Sequence, residues 1–202
     1  MMKQLLSKDG KGPMGLILSV IVLMVIFSAL NPRFASIENL QNVLFQTSVP
    51  LIIVVGATLV IIMGSIDLSV QGVMGAAGMA WILISPNTRT EYDLGALAWV
   101  IALATGLGLG LFAGLIYEKL KVPSFVATLG TWYVGLGIGI MLYGNGLLPS
   151  LTNDTLARWP TRLTLGIPNS FWLAALVVLA GVLLMHYTRF GRGLLAIGNN
   201  ET

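Results

Sequence analysis

Cysteine is absent from this chain of 202 residues, histidine occurs once, and only 8 residues are acidic. The first absence removes disulfides, thiolate chemistry and cysteine-based metal sites. The second leaves His186 as the one candidate imidazole base; it stands at the end of an apolar run beside Tyr187, where interfacial packing is its expected role. The scarcity of acids removes another class. Aspartyl proteolysis inside a membrane needs two carboxylates able to share a proton, and Asp67 alone lies near an apolar interior. No GxxxxGK(S/T) loop occurs, so the chain is not expected to hydrolyse ATP itself. Gly106-x-Gly108-x-Gly110 follows no strand and sits within an apolar run, which argues against phosphate binding. No metal site and no catalytic group is expected.

What is present is apolar surface. Hydrophobic residues make up 56% of the chain and charged residues 9%, with 24 glycines, and the mean hydropathy is +0.88. That composition lies outside the soluble range and fits an all-α, polytopic transmembrane helical bundle. A net charge of +3 does not point to nucleic acid, because the basic residues are scattered between apolar runs with no stripe of interleaved aromatics. Topology accounts for them better.

The stretch from Val60 to Ala80 organises the rest: two apolar runs are separated by a short polar break that holds Asp67. An ionised carboxylate in hydrocarbon costs about 3 kcal/mol or more, so this acid belongs at a boundary or in a protein-lined cavity. Two readings stand side by side. Ser65, Asp67 and Ser69 can cap the first turn of the following helix, or Asp67 can mark a transport pathway.

Taken in order, the apolar runs predict about six spans, near residues 14–30, 43–63, 70–84, 94–117, 125–143 and 171–187. The first run is longer than a signal-peptide core and Ser28-Ala29-Leu30-Asn31 is a poor cleavage site, so an uncleaved span is expected. Ser36 to Gln46 has apolar residues at helical spacing and is expected to lie at the interface before the chain dives in; Pro50 requires that the second helix be packed by neighbours. Gly72, Ala76 and Ala80 form a small-residue face on the third span, and Gly106, Gly110 and Gly114 form a tandem GxxxG face on the fourth, both expected to pack closely against other helices. Thr128 and Thr131 on the fifth suit either a pore lining or an interhelical contact. The long polar segment from Gly144 to Ser170 is expected as a loop, with Trp159 and Trp172 as interfacial anchors.

Lysine and arginine set the orientation. Lys3, Lys8, Lys11, Lys119, Lys121, Arg189 and Arg192 fall on one side of this arrangement, and Arg33, Arg89, Arg158 and Arg162 on the other. The positive-inside rule then places the N-terminus in the cytoplasm.

Three segments carry a family resemblance: GSIDLSV (Gly64 to Val70), VPSFVATLGT (Val122 to Thr131) and TRFGRGLLAIGNNET (Thr188 to Thr202). Together, in this order and spacing, they resemble the inner-membrane permease subunits of bacterial ABC importers for simple sugars, the ribose, xylose, galactose and autoinducer-2 class. Two positions depart from that family, which usually has glycine where Ser65 and Gln71 stand.

The resemblance implies an N-terminal part of a permease of about ten spans, with about four more expected after Thr202. Its implied location is the bacterial inner membrane, and its implied partners are an ABC ATPase subunit, a periplasmic or lipid-anchored sugar-binding protein, a second permease subunit and membrane lipid. ATP would be used by the ATPase subunit, and no cofactor by this chain. It also implies that residues 188–202 open the cytoplasmic coupling region through Gly191, Arg192, Ala196, Gly198, Asn199, Asn200 and Glu201. The mechanism implied is uptake of a simple sugar or related polyol by alternating access, with Asp67, Ser69, Thr128 and Thr131 as candidates along the pathway. Small-residue packing faces suit a non-transporting anchor or assembly protein equally well. Co-purification of an ATPase subunit separates the two.

Overall fold

The computed structural model describes residues 13–199. Lys3, Lys8 and Lys11, and Asn200 and Glu201 of the expected coupling segment, lie outside the described residues. Helix α1 covers Pro13–Leu30. Asn31 then ends it and starts a short 3-10 turn, Pro32–Ala35, by accepting the Arg33 amide at 3.0 Å. Ser36 caps the next helix, its Oγ accepting the Asn39 amide at 3.2 Å.

That helix, α2, runs without interruption over Ile37–Ile62. The segment expected at the interface, Ser36 to Gln46, is therefore continuous with the run beyond Pro50. At 1.5 Å per residue its 26 residues reach about 39 Å, more than a hydrocarbon core, so several protrude. After the break come α3 (Val70–Leu83), α4 (Ala96–Leu120), α5 (Ser124–Tyr143), a short α6 (Asp154–Arg158), strands β1 (Leu163–Thr164) and β2 (Ile167–Pro168), α7 (Asn169–Tyr187) and α8 (Arg189–Asn199). Helices α2, α4, α5 and α7 are long and apolar enough to cross a membrane; Met14–Leu30 and Val70–Leu83 are apolar but shorter. The architecture is an all-α membrane bundle.

Its helices pack in two groups, α3 with α4 and α5, and α2 with α7 and α8. The first group depends on absent side chains. A Cβ on Gly72 would collide with the Trp132 backbone, and one on Gly135 would stand 2.6 Å from the Gly72 carbonyl, so the two backbones touch there. Ala76 is fully buried beside them. In the second group Gly181 admits the Val55 side chain, and the buried Ser48 hydroxyl meets that of Ser170 at 3.1 Å just before Pro50. The packing expected around Pro50 is thus found on one face of α2 only, where Ser48 is its one buried residue.

At one end of the bundle the α3–α4 and α5–α6 connections are tied together. Thr88 N–H donates to the Ser150 carbonyl at 2.9 Å and Thr152 N–H to that of Pro86 at 3.1 Å. Asn87, buried, organises this corner by accepting the Arg89 and Thr90 amides, and the Arg89 guanidinium donates to the Tyr143 carbonyl at 2.6 Å. The same end carries the β1–β2 hairpin. Its two turn residues, Leu165 and Gly166, have φ of +55° and +78°. Glycine adopts that conformation freely, whereas for leucine it costs roughly 1–2 kcal/mol.

Candidate functional site

Helix α2 stops because Gly64, at φ +75°, turns the chain out of the helix. Its amide donates to the Ile61 carbonyl at 2.9 Å and the next amide, of Ser65, to Val60 at 3.2 Å, the paired bonds of a Schellman end. Residues 65–69 are then non-helical. Within a membrane, amides released from a helix need partners supplied by protein.

Helix α5 supplies them. Ile66 N–H donates to Ser124 Oγ and Leu68 N–H to Thr128 Oγ1, each at 3.1 Å. The registration is geometric: four helical residues advance about 6 Å and two extended residues about 6.6 Å, so hydroxyls four apart on α5 meet alternate amides of the break. The Thr128 hydroxyl can donate in turn to the Ser124 carbonyl, 2.9 Å from its Oγ1, or to the Ile66 carbonyl at 3.2 Å.

Asp67 acts on its own segment. Its Oδ1 accepts the Ser69 amide at 2.8 Å and the Ser69 hydroxyl at 2.7 Å. Ser69 is the N-cap residue of α3, but its side chain makes no capping bond because it is committed to Asp67. The acid therefore fixes the approach to α3 and does not bond the amides of its first turn, a departure from the capping role weighed above. Asp67 is half-buried, and Ser69 is buried.

The break is also longitudinal. Ile66 and Leu68 meet Ser124 and Thr128, Gly72 meets Trp132 and Gly135, and a Cβ on Gly139 would stand 3.3 Å from the Gly75 backbone, so the break and α3 run parallel to α5 along its length. Helix α3 alone, with 14 residues, rises about 21 Å, short of a ~30 Å core. What the sequence presents as a corner between two apolar runs is an extended lead-in to α3 that lies alongside the start of α5.

Between the break, α2, α4 and α5 lies a cavity of about 170 Å³, bordered by Ser65, Asp67, Ser69, Tyr117, Ser124 and Thr128, with Gly110 and Gly114 behind. Of the candidate pathway residues the structure thus brings Asp67, Ser69 and Thr128 together. Thr131 is elsewhere: fully buried, it donates to the Ala127 carbonyl at 2.9 Å and does not border the cavity. Of the tandem glycines, a Cβ on Gly106 would stand 3.8 Å from the Val73 side chain, while Gly110 and Gly114 would leave a Cβ in open space. The close helix contact expected along that face is not made at these two positions; they leave room in the cavity instead. Ser124 and Tyr117 are site residues that sequence reasoning missed. A hydroxyl pair at i and i+4, Ser124 and Thr128, directly after Pro123 was the available signal for the first; Tyr117 gave none.

Helix α8 sits at the same end. Thr188 Oγ1 accepts the Gly191 amide at 3.2 Å and starts it. Gly191 lies against the Met185 backbone and Gly198 against the Ile62 carbonyl, the last turn of α2 before the break. Arg192 and Ala196 are exposed on the outer side, and Asn199 closes the helix. Lys121, in the α4–α5 turn, is at this end too. Among the described residues no three His, Asp or Glu side chains gather where they could hold a metal ion.

Residues 39–202 match the family described as the branched-chain amino acid transport system / permease component. The chain belongs to this permease family. It is 38% identical over 191 residues to the ribose import permease protein RbsC of Escherichia coli (strain K12), covering 92% of this chain and 57% of that protein. Against the ribose import permease of Haemophilus influenzae the identity is 36% over 189 residues, with 91% and 57% covered. The autoinducer 2 import system permease protein LsrC of Escherichia coli (strain K12 / DH10B) is 32% identical over 184 residues, with 91% and 52% covered. The chain spans little more than half the length of these curated relatives. No solved structure matches it. The family and these relatives are transport permeases, and four apolar helices long enough to cross make this chain a multi-pass membrane permease component.

Proposed function

We propose that this chain forms the substrate-facing part of an ATP-driven importer for a simple sugar or a related neutral polyol, working by alternating access. The observation that carries the reading is the non-helical break between α2 and α3, held by Ser124 and Thr128 and open on a cavity whose largely apolar lining, from Val60, Met63, Ile66 and Ala113, is set with hydroxyls and one carboxylate. Interrupted helices with polar residues, enclosed by protein, are where membrane transporters gather substrate contacts. Hydroxyls and a single acid suit a neutral polyol, which is held by hydrogen bonds weak enough to release it. The relatives named for ribose and autoinducer-2 import support this substrate class.

Alternating access needs an element with two arrangements. The break is suited to that role, since a few side-chain hydrogen bonds, and no helical ladder, hold it. The partners are an ABC ATPase subunit at the α8 end, a sugar-binding protein at the opposite end and a second permease subunit, with the N-terminus cytoplasmic and the protein in the bacterial inner membrane. Arg192 and Ala196, exposed on α8, would meet the ATPase subunit, and Gly198 would pass its movement to Ile62 and the break.

Uptake of labelled ribose and of a panel of pentoses and polyols into cells that express the full-length permease with its ATPase and binding protein tests the reading. Saturable uptake of at least one neutral polyol, lost when the ATPase cannot hydrolyse ATP, is expected. Uptake of none of them, with an ATPase subunit that fails to co-purify, would leave the anchor reading in its place.

A further inference from the structure

The β1–β2 hairpin holds an apolar side chain in a costly conformation, and none of the described residues covers it. Leu165 is 88% exposed at φ +55°, and Leu163, two residues earlier, is 46% exposed. The hairpin is not loose. Gly166 accepts a hydrogen bond at its carbonyl from the Gln41 side chain of α2 at 3.0 Å, and the Thr164 carbonyl accepts the Trp172 indole N–H of α7 at 3.0 Å. Pro168, on β2, is buried against the bundle, which leaves β1 as the outward strand. An exposed turn that needs positive φ at both positions is served best by asparagine or glycine. A leucine held there by two tethers to separate helices gains from a contact outside the described residues.

Two observations select that contact. The tethers attach near the starts of α2 and α7, both long enough to cross a membrane, so the hairpin lies at the depth where those helices leave the hydrocarbon. Trp172, which holds it, is a half-exposed tryptophan whose ring is apolar and whose N–H is already satisfied, the side-chain type that settles at the lipid–water boundary. Trp159, also half-exposed, closes the same loop. We infer that the β1–β2 hairpin is a lipid-interface anchor, with Leu165 and Leu163 seated in the headgroup–acyl boundary of the extracytoplasmic leaflet. It fixes the depth of α2 and α7, and so the resting position of the break at the far end of α2.

The test is fluorescence quenching on the full chain in phospholipid nanodiscs, with a bimane label on Leu165→Cys and, as the water-facing reference, on Glu91→Cys from the tied loops at the same end. Label at 165 is expected to be quenched several-fold more by lipid carrying a nitroxide at the top of the acyl chain than by aqueous iodide, with the reverse at 91. Iodide quenching at 165 equal to that at 91, with none from lipid, overturns the proposal and hands the tip to a water-borne protein partner. A second variant guards against a folding artefact. Leu165→Asn relieves the strained turn, so its melting temperature in detergent is expected to stay level or rise; a drop of several degrees would show Leu165 packed within the chain and also overturn the proposal.

Discussion

The Leu68 amide donates to the Thr128 hydroxyl at 3.1 Å, across 60 positions of sequence, and this bond replaces one that a helix would have made internally. Thr128→Val keeps the shape and removes the acceptor. An amide left unpaired in a water-poor site costs about 1–3 kcal/mol, so the melting temperature in detergent is expected to fall by several degrees, with uptake reduced. Thr128→Ser restores the oxygen and is expected to recover most of both. Equal melting of the valine and serine variants would show that the break finds its support elsewhere.

Asp67 separates charge from geometry. Asn keeps an oxygen at the Oδ1 position for the Ser69 amide and hydroxyl, whereas Ala loses both bonds. Asp67→Asn is expected to melt within about 0.5 kcal/mol of the parent and Asp67→Ala to lose about 1–3 kcal/mol. Hydrogen exchange at the Ser69 amide reads the difference, with faster exchange in the alanine variant alone. If transport uses the carboxylate itself, uptake falls in both variants.

Glycines on facing helices differ in what surrounds them. Gly72→Ala drives a methyl into the Trp132 backbone and is expected to destabilise by about 1–3 kcal/mol or to abolish folding. Gly110→Ala and Gly114→Ala meet open space and gain helix propensity, so stability is expected to hold or rise by up to about 1 kcal/mol while the cavity shrinks and uptake drops. Thermal melts of the three variants side by side check this. Destabilisation at Gly110 matching that at Gly72 would mean that another helix closes on α4 in the assembled protein.

The contacts of Gly198 with Ile62, and of Met63 and Ser124 with the cavity, place Lys121 and Arg192 at one end of the bundle, and Arg89 beside Tyr143 at the other. Cysteines at 121 and 192 are expected to react with a membrane-impermeant maleimide only in inverted vesicles, and a cysteine at 89 only in intact spheroplasts. Labelling of 121 and 192 from opposite sides would break the proposed topology.

Much of this was legible in the linear chain. Apolar runs bounded by Asn31-Pro32, Pro86-Asn87 and Lys121-Val122-Pro123 give the helices, because a membrane span must satisfy its own backbone and so announces itself in composition. The small face of α3 is likewise visible in Gly72 and Ala76. The tandem glycines of α4 were equally visible but misleading in part, since spacing shows a narrow face without showing whether a partner occupies it. Ser124 escaped notice because a serine at a helix start has several ordinary uses.

Sequence by itself determined the helices, the membrane setting and the kinship, since each depends on local hydrophobicity or on motifs read in order. Only the tertiary structure decided that residues 65–69 lie along α5 as the lead-in to α3, because the partners of their amides sit some 60 positions away on α5. A hydrogen bond between distant segments leaves no periodicity in either of them, and the position of Asp67 follows from that bond.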